Sequence, residues 1–363
     1  MNNMKNQIEY KAIGLMSGSS LDGLDICFVS FWQAENQWKY KILETETVLY
    51  NENWKSKLAF AHQLDASALK QLDIEYGFYL GEETNKFIEN KSIDKNSIDF
   101  ISSHGHTIFH QPQKKITLQI GHGAAILDKT KKTVICDFRT QDVIFGGQGA
   151  PLVPIGDKLL FHSFDSCLNL GGFSNISYKN EDLMVAFDIC PVNAVLNHLS
   201  QKYFDKEFDK YGEIAKSGTV IQNLLSELNI LAYYRHKPPK SLGIEWVEEH
   251  IYPLLNEYKD KKDLLATYTE HIAVQIAAVL NSFESKTVLV TGGGANNKYL
   301  IERIKFYTNA TLELPQKELI NYKEALIFAF LGLLKIQNKV NILSSVTGVA
   351  FDHSSGVIYH SIN

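Results

Sequence analysis

The sequence predicts an α/β protein made of two similar lobes. Apolar segments of strand length alternate with longer segments of helical periodicity along the whole chain. Each half opens with two short apolar runs joined by a glycine-rich turn, which is typical of a β-hairpin. The 363 residues suffice for two or three domains, and 45% hydrophobic with 21% charged residues is ordinary for a globular protein. We therefore expect an internal structural duplication without a sequence repeat of fixed period.

The first half begins with three strands and continues through a long helical region. Leu69, Leu72, Tyr76 and Leu80 recur at helical spacing, which predicts helix within residues 54–90. The strands expected in this half are Lys11–Leu15, Asp25–Trp32, Trp38–Val48, Ile98–Ser103, Ile116–Ile120 and Thr133–Cys136.

The second half repeats the hairpin and then alternates helices with strands. A helix is expected from Val192 onward, and two more, Tyr299–Tyr307 and Tyr322–Lys335, close the pattern. Two such lobes would leave a cleft between them. The strands expected in this half are Cys167–Leu170, Asn175–Tyr178, Met184–Phe187, Thr287–Val290 and Thr311–Leu314.

Composition argues against several classes of protein. The net charge is −5 without a long block of like charge, so nucleic-acid binding is not expected. Residues 1–10 lack the apolar segment of a signal peptide, and no apolar run is long enough to span a bilayer. The cysteines lie far apart in apolar stretches, so we expect buried, reduced thiols and a cytoplasmic protein without membrane contact. They are Cys27, Cys136, Cys167 and Cys190.

The segment Gly14–Asp25 carries most of the functional information. Its glycines and small hydroxyl residues form the expected turn, where backbone N–H groups can approach an anion because glycine has no Cβ. Two acids, Asp22 and Asp25, could hold a divalent cation directly or through water. These features indicate a nucleotide phosphate site. Glycine-serine turns also occur in ordinary hairpins, so this turn alone leaves that alternative open.

Two further glycine-rich turns follow along the chain. Gly171-Gly172 sits in the second expected hairpin, and Gly292–Gly294 precedes a helix whose N-terminal N–H groups could serve a nucleotide. The chain has neither a Walker A motif nor a Gly-x-Gly-x-x-Gly fingerprint after the first strand. The three turns, with acids near the first two, are ordered as in the actin, hexokinase and heat-shock-protein class of ATP-binding folds.

Short motifs spread in order over nearly the whole chain point to one family. They are residues 14–23 (GLMSGSSLDG), 103–107 (SHGHT), 118–121 (LQIG), 137–139 (DFR), 146–154 (GGQGAPLVP), 168–172 (LNLGG), 187–188 (FD), Pro191, Asn193 and 292–297 (GGGANN). With these motifs the chain resembles the anhydro-N-acetylmuramic acid kinases, a bacterial family of that ATPase superfamily.

The resemblance implies a fold, cofactors and a reaction. The fold would be two duplicated actin-like ATPase (ribonuclease H-like) lobes, residues 1–160 and 161–363, with an inter-lobe active-site cleft. The C-terminal segment could pack back on the first lobe. ATP, Mg²⁺, a small amino sugar and a homodimer are implied. Water would open the 1,6-anhydro ring of 1,6-anhydro-N-acetylmuramic acid while O6 is phosphorylated, giving N-acetylmuramic acid 6-phosphate and ADP in peptidoglycan recycling.

The resemblance assigns the glycine-rich turns to the nucleotide. The first turn would bind the β- and γ-phosphates, with Asp22 contributing to Mg²⁺ through water. The third turn would contact the adenosine and the α-phosphate. The residues expected to bind the nucleotide are Gly14, Ser17, Gly18, Ser19, Ser20, Asp22, Gly23, Asp25, Gly171, Gly172, Gly292, Gly293 and Gly294.

Asp188 is implied to be the catalytic base. It ends an expected strand just before a turn, where side chains commonly point into such a cleft. The reaction needs a base to activate the water that attacks the anomeric carbon. The alternative is a helix N-cap, because Pro191-Val192-Asn193 opens a helix.

Four residues are implied to contact the sugar, namely Arg139, Gln148, Asn193 and Glu324. The guanidinium could pair bidentately with the lactyl carboxylate, although an ion pair of Arg139 with Asp137 or Asp142 fits the local sequence nearly as well. Glu324 could instead complement the dipole of a first helical turn. Gln148 could belong to a tight turn between the lobes.

Four histidines cluster in the sequence, namely His104, His106, His110 and His122. We expect His104 and His106 to share a strand face. Imidazole is a common zinc ligand, yet no cysteine or carboxylate stands at matching spacing. Polar lining of the substrate cleft is therefore favoured over a metal site.

Departures from the family pattern leave the substrate open. The family usually continues Thr-Gly-Pro-Gly-Asn after the catalytic aspartate, where residues 189–193 read Ile-Cys-Pro-Val-Asn and lose two glycines and a hydroxyl. Three interpretations remain: the anhydro-sugar kinase, a kinase of another sugar or sugar acid, and a weakly active ATP-binding sensor. The other departures are His106 for glutamine, His122 for aspartate, Tyr211 for aspartate, Leu242 for threonine and Ile244 for arginine.

Overall fold

The computed structural model describes residues 8–18, 21–181, 183–256 and 258–361. The chain divides into two compact units, which we call unit 1 and unit 2. Unit 1 comprises Met1–Leu160 and Tyr322–Asn363, and unit 2 comprises Phe161–Asn321. The expected boundary after residue 160 falls at the same place, whereas residues 322–363, counted above with the C-terminal lobe, belong to unit 1.

The strands of unit 1 form a six-stranded sheet and a separate hairpin. They are β1 Glu9–Ser17, β2 Gly23–Ala34, β3 Gln37–Leu49, β4 Phe100–Ser103, β5 His106–Gln111, β6 Ile116–Ile120, β7 Thr133–Cys136 and, near the C-terminus, β13 Val357–Tyr359. The sheet order is β13-β7-β4-β1-β2-β3, and β5 pairs with β6. β2 runs antiparallel to both β1 and β3, while β4 and β7 run parallel to β1.

Unit 2 repeats the core of this topology. Its strands are β8 Ser166–Leu170, β9 Phe173–Asn180, β10 Leu183–Pro191, β11 Thr287–Thr291 and β12 Thr311–Glu313. The order is β10-β9-β8-β11-β12, with β9 antiparallel to both neighbours and β11 and β12 parallel to β8. Order and direction equal those of β3-β2-β1-β4-β7 in unit 1. The predicted duplication of a ribonuclease H-like α/β lobe is therefore confirmed.

The helices occupy the segments between these strands and after them. They are α1 Glu52–Ala59, α2 Ala66–Asn90, α3 Gly123–Thr130, α4 Thr140–Ile144, α5 Pro154–Leu160, α6 Asn193–Phe204, α7 Glu213–Lys216, α8 Gln222–Asn229, α9 Ile244–His250, α10 Tyr252–Asn256, α11 Lys261–Ser282, α12 Lys298–Tyr307, α13 Lys317–Ile336 and α14 Ser344–Thr347. Short 3₁₀ turns include Ala61–Gln63, Ala232–Arg235 and Gly293–Asn296.

Each unit has its own apolar core. In unit 1, Ile13 of β1 belongs to the same buried cluster as Leu72 and Leu80 of α2. In unit 2, Val288 of β11 belongs to one with Ile272 of α11. Burial of this kind of side chain contributes about 1.5–3 kcal/mol each, so each sheet is stabilised by the helices of its own unit.

The helical region expected at residues 54–90 consists of two helices. Asn51 caps α1 by accepting a hydrogen bond from the Trp54 N–H (2.9 Å). Asp65 caps α2 in the same way from the Ala68 N–H (2.9 Å). Because aspartate is a strong N-cap residue, Asp65 starts a new helix where the periodicity alone suggested a continuous one.

Residues 322–363 belong to unit 1 because they extend its sheet and pack on its strands. β13 pairs antiparallel with β7. The Ser102 hydroxyl donates to the Phe328 carbonyl of α13 (2.5 Å). The carbonyl of Ala325 occupies the space that a Cβ on Gly14 would need. These contacts join residues far apart in sequence, which local periodicity does not reveal.

Helix α11 is the longest element that the sequence analysis missed. Asp260 caps it by accepting from the N–H groups of Lys262 (3.0 Å) and Asp263 (3.2 Å). Residues 264–273 are all buried, so this stretch has no exposed face. A helix buried on every side lacks the amphipathic period by which helices are recognised in a sequence.

The cysteines are free thiols. Cys27, Cys167 and Cys190 are buried and Cys136 is partly buried. Within the described ranges, no helix combines the length and the apolar character needed to cross a lipid bilayer.

We expect Gly14→Ala to destabilise the protein. The added methyl group would collide with the Ala325 carbonyl, and relief requires a shift of β1 or α13, so the free energy of unfolding should fall by about 2 kcal/mol or more. Gly172→Ala is the control, because its Cβ would meet no heavy atom closer than 3.9 Å. Equilibrium urea unfolding measures both variants, and equal stability would contradict the close approach at Gly14.

Candidate active site

The first glycine-rich turn joins the ends of β1 and β2. β1 ends at Ser17 and β2 begins at Gly23, with Leu21 in the left-handed region at a φ of 59°. The hairpin expected here is therefore present. Ser19 and Ser20, expected to bind the nucleotide, lie outside the described residues.

Packing explains two glycines of this segment. Gly14 lies in β1 beneath the Ala325 carbonyl of α13. A Cβ on Gly23 would lie 2.5 Å from the Val48 carbonyl oxygen of β3. Close approach of protein backbone is thus sufficient to require glycine at both positions.

A buried chain of hydrogen bonds runs from Ser17, the last residue of β1. The Tyr50 hydroxyl donates to Ser17 Oγ (2.7 Å) and lies 2.6 Å from the Tyr76 hydroxyl. Ser17 Oγ lies 2.8 Å from His106 Nδ1. Desolvation lowers the pKa of His106 to about 4 and raises the pKa of both tyrosines. These hydrogen bonds therefore hold the Ser17 hydroxyl without placing a charged group beside it at neutral pH.

The Asp25 carboxyl group of unit 1 is affected by the charges of two other acids. Burial raises the pKa of Asp25 to about 6; the hydrogen bond from the Thr47 hydroxyl (2.6 Å) lowers it, and the charges of Glu324 and Asp22 raise it. Glu324 is reached by solvent, yet desolvation raises the pKa of its carboxyl group, which the charge of Arg139 lowers. This concentration of negative charge favours binding of a cation.

Glu324 lies about two turns inside its helix. α13 begins at Lys317, and its first-turn acid is Glu318. Because the effect of the helix dipole is confined to the terminal turn, the expectation that Glu324 complements that dipole is wrong.

Arg139 is held by a neutral histidine. Its Nε and Nη2 donate to His104 Nε2 (3.1 and 3.0 Å), and its Nη1 donates to the Gly149 carbonyl (2.6 Å). His104 Nδ1 lies 2.9 Å from the Gly105 carbonyl, which can only accept, so Nδ1 carries the proton and Nε2 accepts. Burial and the charge of Arg139 hold the pKa of His104 well below its usual value.

The guanidinium of Arg139 keeps donors for a further group. Burial lowers its pKa to about 10, so it is charged at neutral pH. Three of the five N–H groups of an arginine are used by His104 and Gly149, which leaves two. Among the described residues no ion pair forms with Asp137 or Asp142, so that alternative is wrong.

Asp142 instead holds the loop that contains Gln148. The Asp142 carboxylate is fully buried and accepts from the Gly149 N–H (2.7 Å) and the Thr347 hydroxyl (2.8 Å). The Gln148 N–H donates to the Thr347 carbonyl (2.7 Å), while its side chain is exposed. The loop backbone is therefore fixed, and the Gln148 side chain is available to a ligand.

Asp188 lies inside β10 and not at its end. The strand continues to Pro191, with a register irregularity against β9 between Asp188 and Cys190. The N-cap position of α6 is Val192, and no side chain caps the helix there. The N-cap alternative for Asp188 is therefore wrong.

The backbone and side chain of Asp188 are held by residues 233–242. Its N–H donates to the Lys240 carbonyl (3.2 Å), its carbonyl accepts from the Tyr233 hydroxyl (2.7 Å), and its Oδ2 accepts from the Leu242 N–H (2.9 Å). Desolvation raises the pKa of the Asp188 carboxyl group, and the bond from Leu242 lowers it. The carboxylate is consequently a stronger base than one in water.

The second glycine-rich turn supports the start of α6. The N–H groups of Val192 and Ala194 donate to the Gly172 carbonyl (2.8 and 3.1 Å), and that of Asn193 donates to the Gly171 carbonyl (3.2 Å). These donors of the helix N-terminus are used within the protein. A phosphate near this turn would have to use other groups.

The third glycine-rich turn lies against the end of β8. Gly292 has a φ of 83°, and a Cβ on it would lie 2.5 Å from Asn169 Oδ1. A Cβ on Gly294 would lie 2.8 Å from Leu170 Cβ. Asn193 Nδ2 donates to the Leu170 carbonyl (3.1 Å). The second and third turns and Asn193 are thus brought together within unit 2.

The altered residues that follow Asp188 face the interior of unit 2. Ile189, Cys190 and Val192 are at most 1% exposed and belong to its apolar core. The Ser174 hydroxyl also lies 3.0 Å from the Cys190 carbonyl and donates to it. These side chains fill the core instead of projecting to the surface.

His104 and His106 do not belong to the same strand. His104 precedes β5 and His106 begins it, so the expectation that they share a strand face is wrong. Across the residues that the structure describes, no three His, Cys, Asp or Glu side chains gather in a way that could hold a metal ion.

Sequence reasoning missed the groups that hold the expected site residues in place. Tyr50 contacts Ser17, Thr347 contacts Asp142, and Tyr233 contacts Asp188. Each pair is distant in sequence. Their hydroxyl groups leave no signal in local periodicity, although an aromatic residue with a polar end is a common buried donor.

Comparison with known proteins gives the family. The model of the family Anhydro-N-acetylmuramic acid kinase matches residues 10–361. The protein of that name from Hydrogenovibrio crunogenus is 33% identical over 98% of this chain and 100% of its own length. That from Clostridioides difficile is 33% identical over 93% and 95%. The chain therefore belongs to the anhydro-N-acetylmuramic acid kinase family, as its motifs predicted.

The chain also shows similarity to solved structures. Component A of (R)-2-hydroxyglutaryl-CoA dehydratase from Acidaminococcus fermentans is 13% identical, with a TM-score of 0.46 over 88% of this chain and 96% of that one.

We expect Asp142→Ala to loosen the loop that carries Gln148. The Gly149 N–H would lose its acceptor, which costs about 1–3 kcal/mol of stability for a buried donor. Asp142→Asn is the matched variant, since its amide oxygen can still accept from Gly149 while its nitrogen donates to Thr347. Urea unfolding and hydrogen exchange of the Gly149 amide measure the difference. Equal protection in both variants would contradict this account of the loop.

Proposed function

We propose that the protein is an ATP-dependent kinase of 1,6-anhydro-N-acetylmuramic acid in peptidoglycan recycling and amino sugar catabolism. Water attacks the anomeric carbon, the C1–O6 bond breaks and O6 takes the γ-phosphoryl group, which gives N-acetylmuramic acid 6-phosphate and ADP. Family membership supports this reaction class. The observation that carries the proposal within this chain is the desolvated carboxylate of Asp188, oriented by one backbone N–H.

Asp188 is assigned as the general base. The Leu242 N–H binds Oδ2, so Oδ1 remains to accept the proton of the attacking water. The raised pKa strengthens the carboxylate as a base. General-base assistance is typically worth about 10²- to 10⁴-fold in rate.

The ATP phosphates are assigned to the glycine-rich turns. The turn Ser17–Asp25, including Gly18, Ser19 and Ser20, would bind the β- and γ-phosphates through backbone N–H groups, since the Ser17 hydroxyl is engaged by Tyr50 and His106. Gly171 and Gly172, in the second turn, are assigned to the phosphates as well. Gly292, Gly293 and Gly294 would contact the adenosine and the α-phosphate.

The acids near the first turn fit a hydrated Mg²⁺. Asp22 is exposed, and the charges of Asp22 and Glu324 help raise the pKa of Asp25, as expected where a cation is to bind. Mg²⁺ usually keeps several waters and takes one or two carboxylates with substrate phosphates, so Asp22 would hold it through water. When bound, the ion would neutralise charge on the transferred phosphoryl group.

The sugar contacts are assigned to four side chains. The two free N–H groups of Arg139 suit the lactyl carboxylate, because a guanidinium binds a carboxylate through a planar pair of donors. Glu324, with a raised pKa, suits a sugar hydroxyl. Gln148 and Asn193 add amide groups, the former on a fixed loop.

The oligomeric state and the location are proposed from the family resemblance and from composition. We assign a homodimer on the family resemblance alone. Free thiols support a reducing, cytoplasmic location. Light scattering on the purified protein measures the oligomer, and a monomeric mass would contradict the dimer.

A coupled ADP-release assay across a panel of sugars tests the proposed function. ADP release should rise only when 1,6-anhydro-N-acetylmuramic acid is added. Stimulation by ordinary hexosamines or sugar acids alone would support a different kinase, for which Leu242 and Ile244 are the motivating departures. Nucleotide binding without stimulated turnover would support an ATP-binding sensor.

We expect Asp188→Asn to lower kcat by about 10²- to 10⁴-fold with little change in the KM for ATP. An asparagine oxygen can still accept from Leu242, and removal of a desolvated charge should leave Tm unchanged or higher. Wild-type kcat/KM should fall as pH decreases through the pKa of Asp188, above the usual 3.8.

The control is Asp205→Asn, a change of an exposed carboxylate at the end of α6 whose left-handed backbone (φ 52°) asparagine tolerates. It should leave kcat unchanged. If Asp188→Asn turned over at the wild-type rate, Asp188 would not be the general base.

A further inference from the structure

We propose that Tyr233 is a positioning residue for Asp188, acting through residues 232–242, which we call the Asp188 clamp. This inference rests on the proposed role of Asp188 as the base. The geometry behind it lies wholly within unit 2, and none of the family motifs quoted above includes Tyr233.

The first observation is where Asp188 lies in the sheet. β10 is at the edge of the five-stranded sheet, so the backbone groups on its outer side have no partner strand. The register irregularity between Asp188 and Cys190 weakens the pairing with β9 at the same point. An edge strand with a bulge is free to bend, and its side chains are then aimed by whatever covers the edge.

The second observation is that the clamp covers this edge and binds three groups of one residue. The Lys240 carbonyl accepts from the Asp188 N–H (3.2 Å), and the Tyr233 hydroxyl donates to its carbonyl (2.7 Å). The Leu242 N–H then reaches the carboxylate (2.9 Å). Among the described residues, the Leu242 N–H is the donor to the Asp188 carboxylate. The geometry of this bond depends on the contacts that Lys240 and Tyr233 make with the Asp188 backbone.

The third observation is that the position of Tyr233 is itself fixed on both sides. Lys240 Nζ donates to the Tyr233 carbonyl (3.2 Å) and lies 4.5 Å from the centre of its ring. The adjacent Tyr234 forms a ring angle of 86° with Tyr233 and approaches α11, where its hydroxyl lies 2.9 Å from His271 Nε2. Trp246 packs against both rings, at 5.4 and 6.0 Å between centres.

The anchor in α11 is a neutral, oriented histidine. His271 Nδ1 lies 2.6 Å from the amide oxygen of Asn229, which can only accept, so Nδ1 donates and Nε2 accepts from the Tyr234 hydroxyl. Burial lowers the pKa of His271 to about 3, so this arrangement persists through the neutral range. The clamp is thereby attached to the core of unit 2 at one tyrosine and to Asp188 at the other.

Leu242 makes the clamp more important in this chain. A second donor beside the backbone N–H would require a side chain with a hydroxyl or amide group at this position. Leucine has no such group, so the orientation of the carboxylate depends on the backbone N–H and on the bonds that hold residues 232–242 in place. Loss of the Tyr233 hydroxyl would leave the Asp188 carbonyl without that donor and let the strand edge move.

The titratable groups that face Asp188 do not obscure the fall of kcat/KM on the acid side of the pH profile, which we call the acid limb. Desolvation raises the pKa values of Tyr233 and Cys190, so both stay neutral on the acid side. Burial lowers the pKa of Lys240 below its usual 10.5, and its ammonium group donates to the Tyr233 carbonyl.

The test compares Tyr233→Phe with Tyr307→Phe in the full-length protein. Tyr233→Phe keeps the ring and its contact with Lys240 but removes the donor to Asp188. We expect kcat to fall about tenfold, with the KM values for ATP and sugar changed less than about twofold. The acid limb of kcat/KM should move to higher pH, because a loosened Leu242 bond no longer lowers the pKa of Asp188.

Tyr307→Phe is the matched control, because it removes a tyrosine hydroxyl of unit 2 that donates to Glu270 and lies outside the clamp. It should lower Tm and leave the pH profile unchanged. The inference is overturned if Tyr233→Phe keeps the wild-type kcat and acid limb, or if both variants lose activity in proportion to Tm. Asp188→Asn is assayed in parallel: turnover at the wild-type rate would overturn the proposed base and this inference together, whereas an inactive Asp188→Asn beside a fully active Tyr233→Phe overturns this inference alone.

Discussion

The close approach of α13 to β1 at Gly14 is the constraint on which the candidate site of unit 1 depends. The Ala325 carbonyl occupies the space of a Cβ, so the helix sits directly on the strand that leads into the first glycine-rich turn. This contact places Glu324 where its charge affects Asp25 and Arg139. In unit 2, glycine likewise allows close packing at the corresponding strand, because Gly292 and the adjoining turn lie against the end of β8. Backbone packing at glycine therefore positions the chemistry in each unit.

Desolvation decides the character of the side chains placed in this way. At Asp188 and Asp25 it outweighs the hydrogen bonds that stabilise the charged form, so both carboxyl groups have raised pKa values. For buried histidines, desolvation lowers the pKa instead of raising it. His104 and His271 therefore remain neutral, with one nitrogen donating and the other accepting. A neutral imidazole orients its partner without adding charge. The protein thus separates the groups proposed to react from the groups that hold them.

Local sequence patterns were sufficient for most strands and for the duplication, because both hairpins carry apolar runs around glycine, but they missed β5 and β13. They were insufficient for α11, which is buried throughout residues 264–273 and shows no polar face. The motifs identified the family and drew attention to Asp188, Arg139 and His104, but not to Tyr233 or to the contact between Arg139 and His104. Those contacts depend on which distant segments of the backbone meet in the fold, and local sequence patterns do not reveal this. The altered residues Ile189–Val192 looked disruptive in sequence, yet they fill the core of unit 2.

In the proposed reaction, one active site couples ring opening by water to phosphoryl transfer. Mass spectrometry of the product formed from ATP and 1,6-anhydro-N-acetylmuramic acid measures both steps at once. We expect a sugar product heavier than the substrate by one HPO₃ and one H₂O, formed in equal amount to ADP. A product that gains HPO₃ alone, or ADP formed with inorganic phosphate and unchanged sugar, would contradict it.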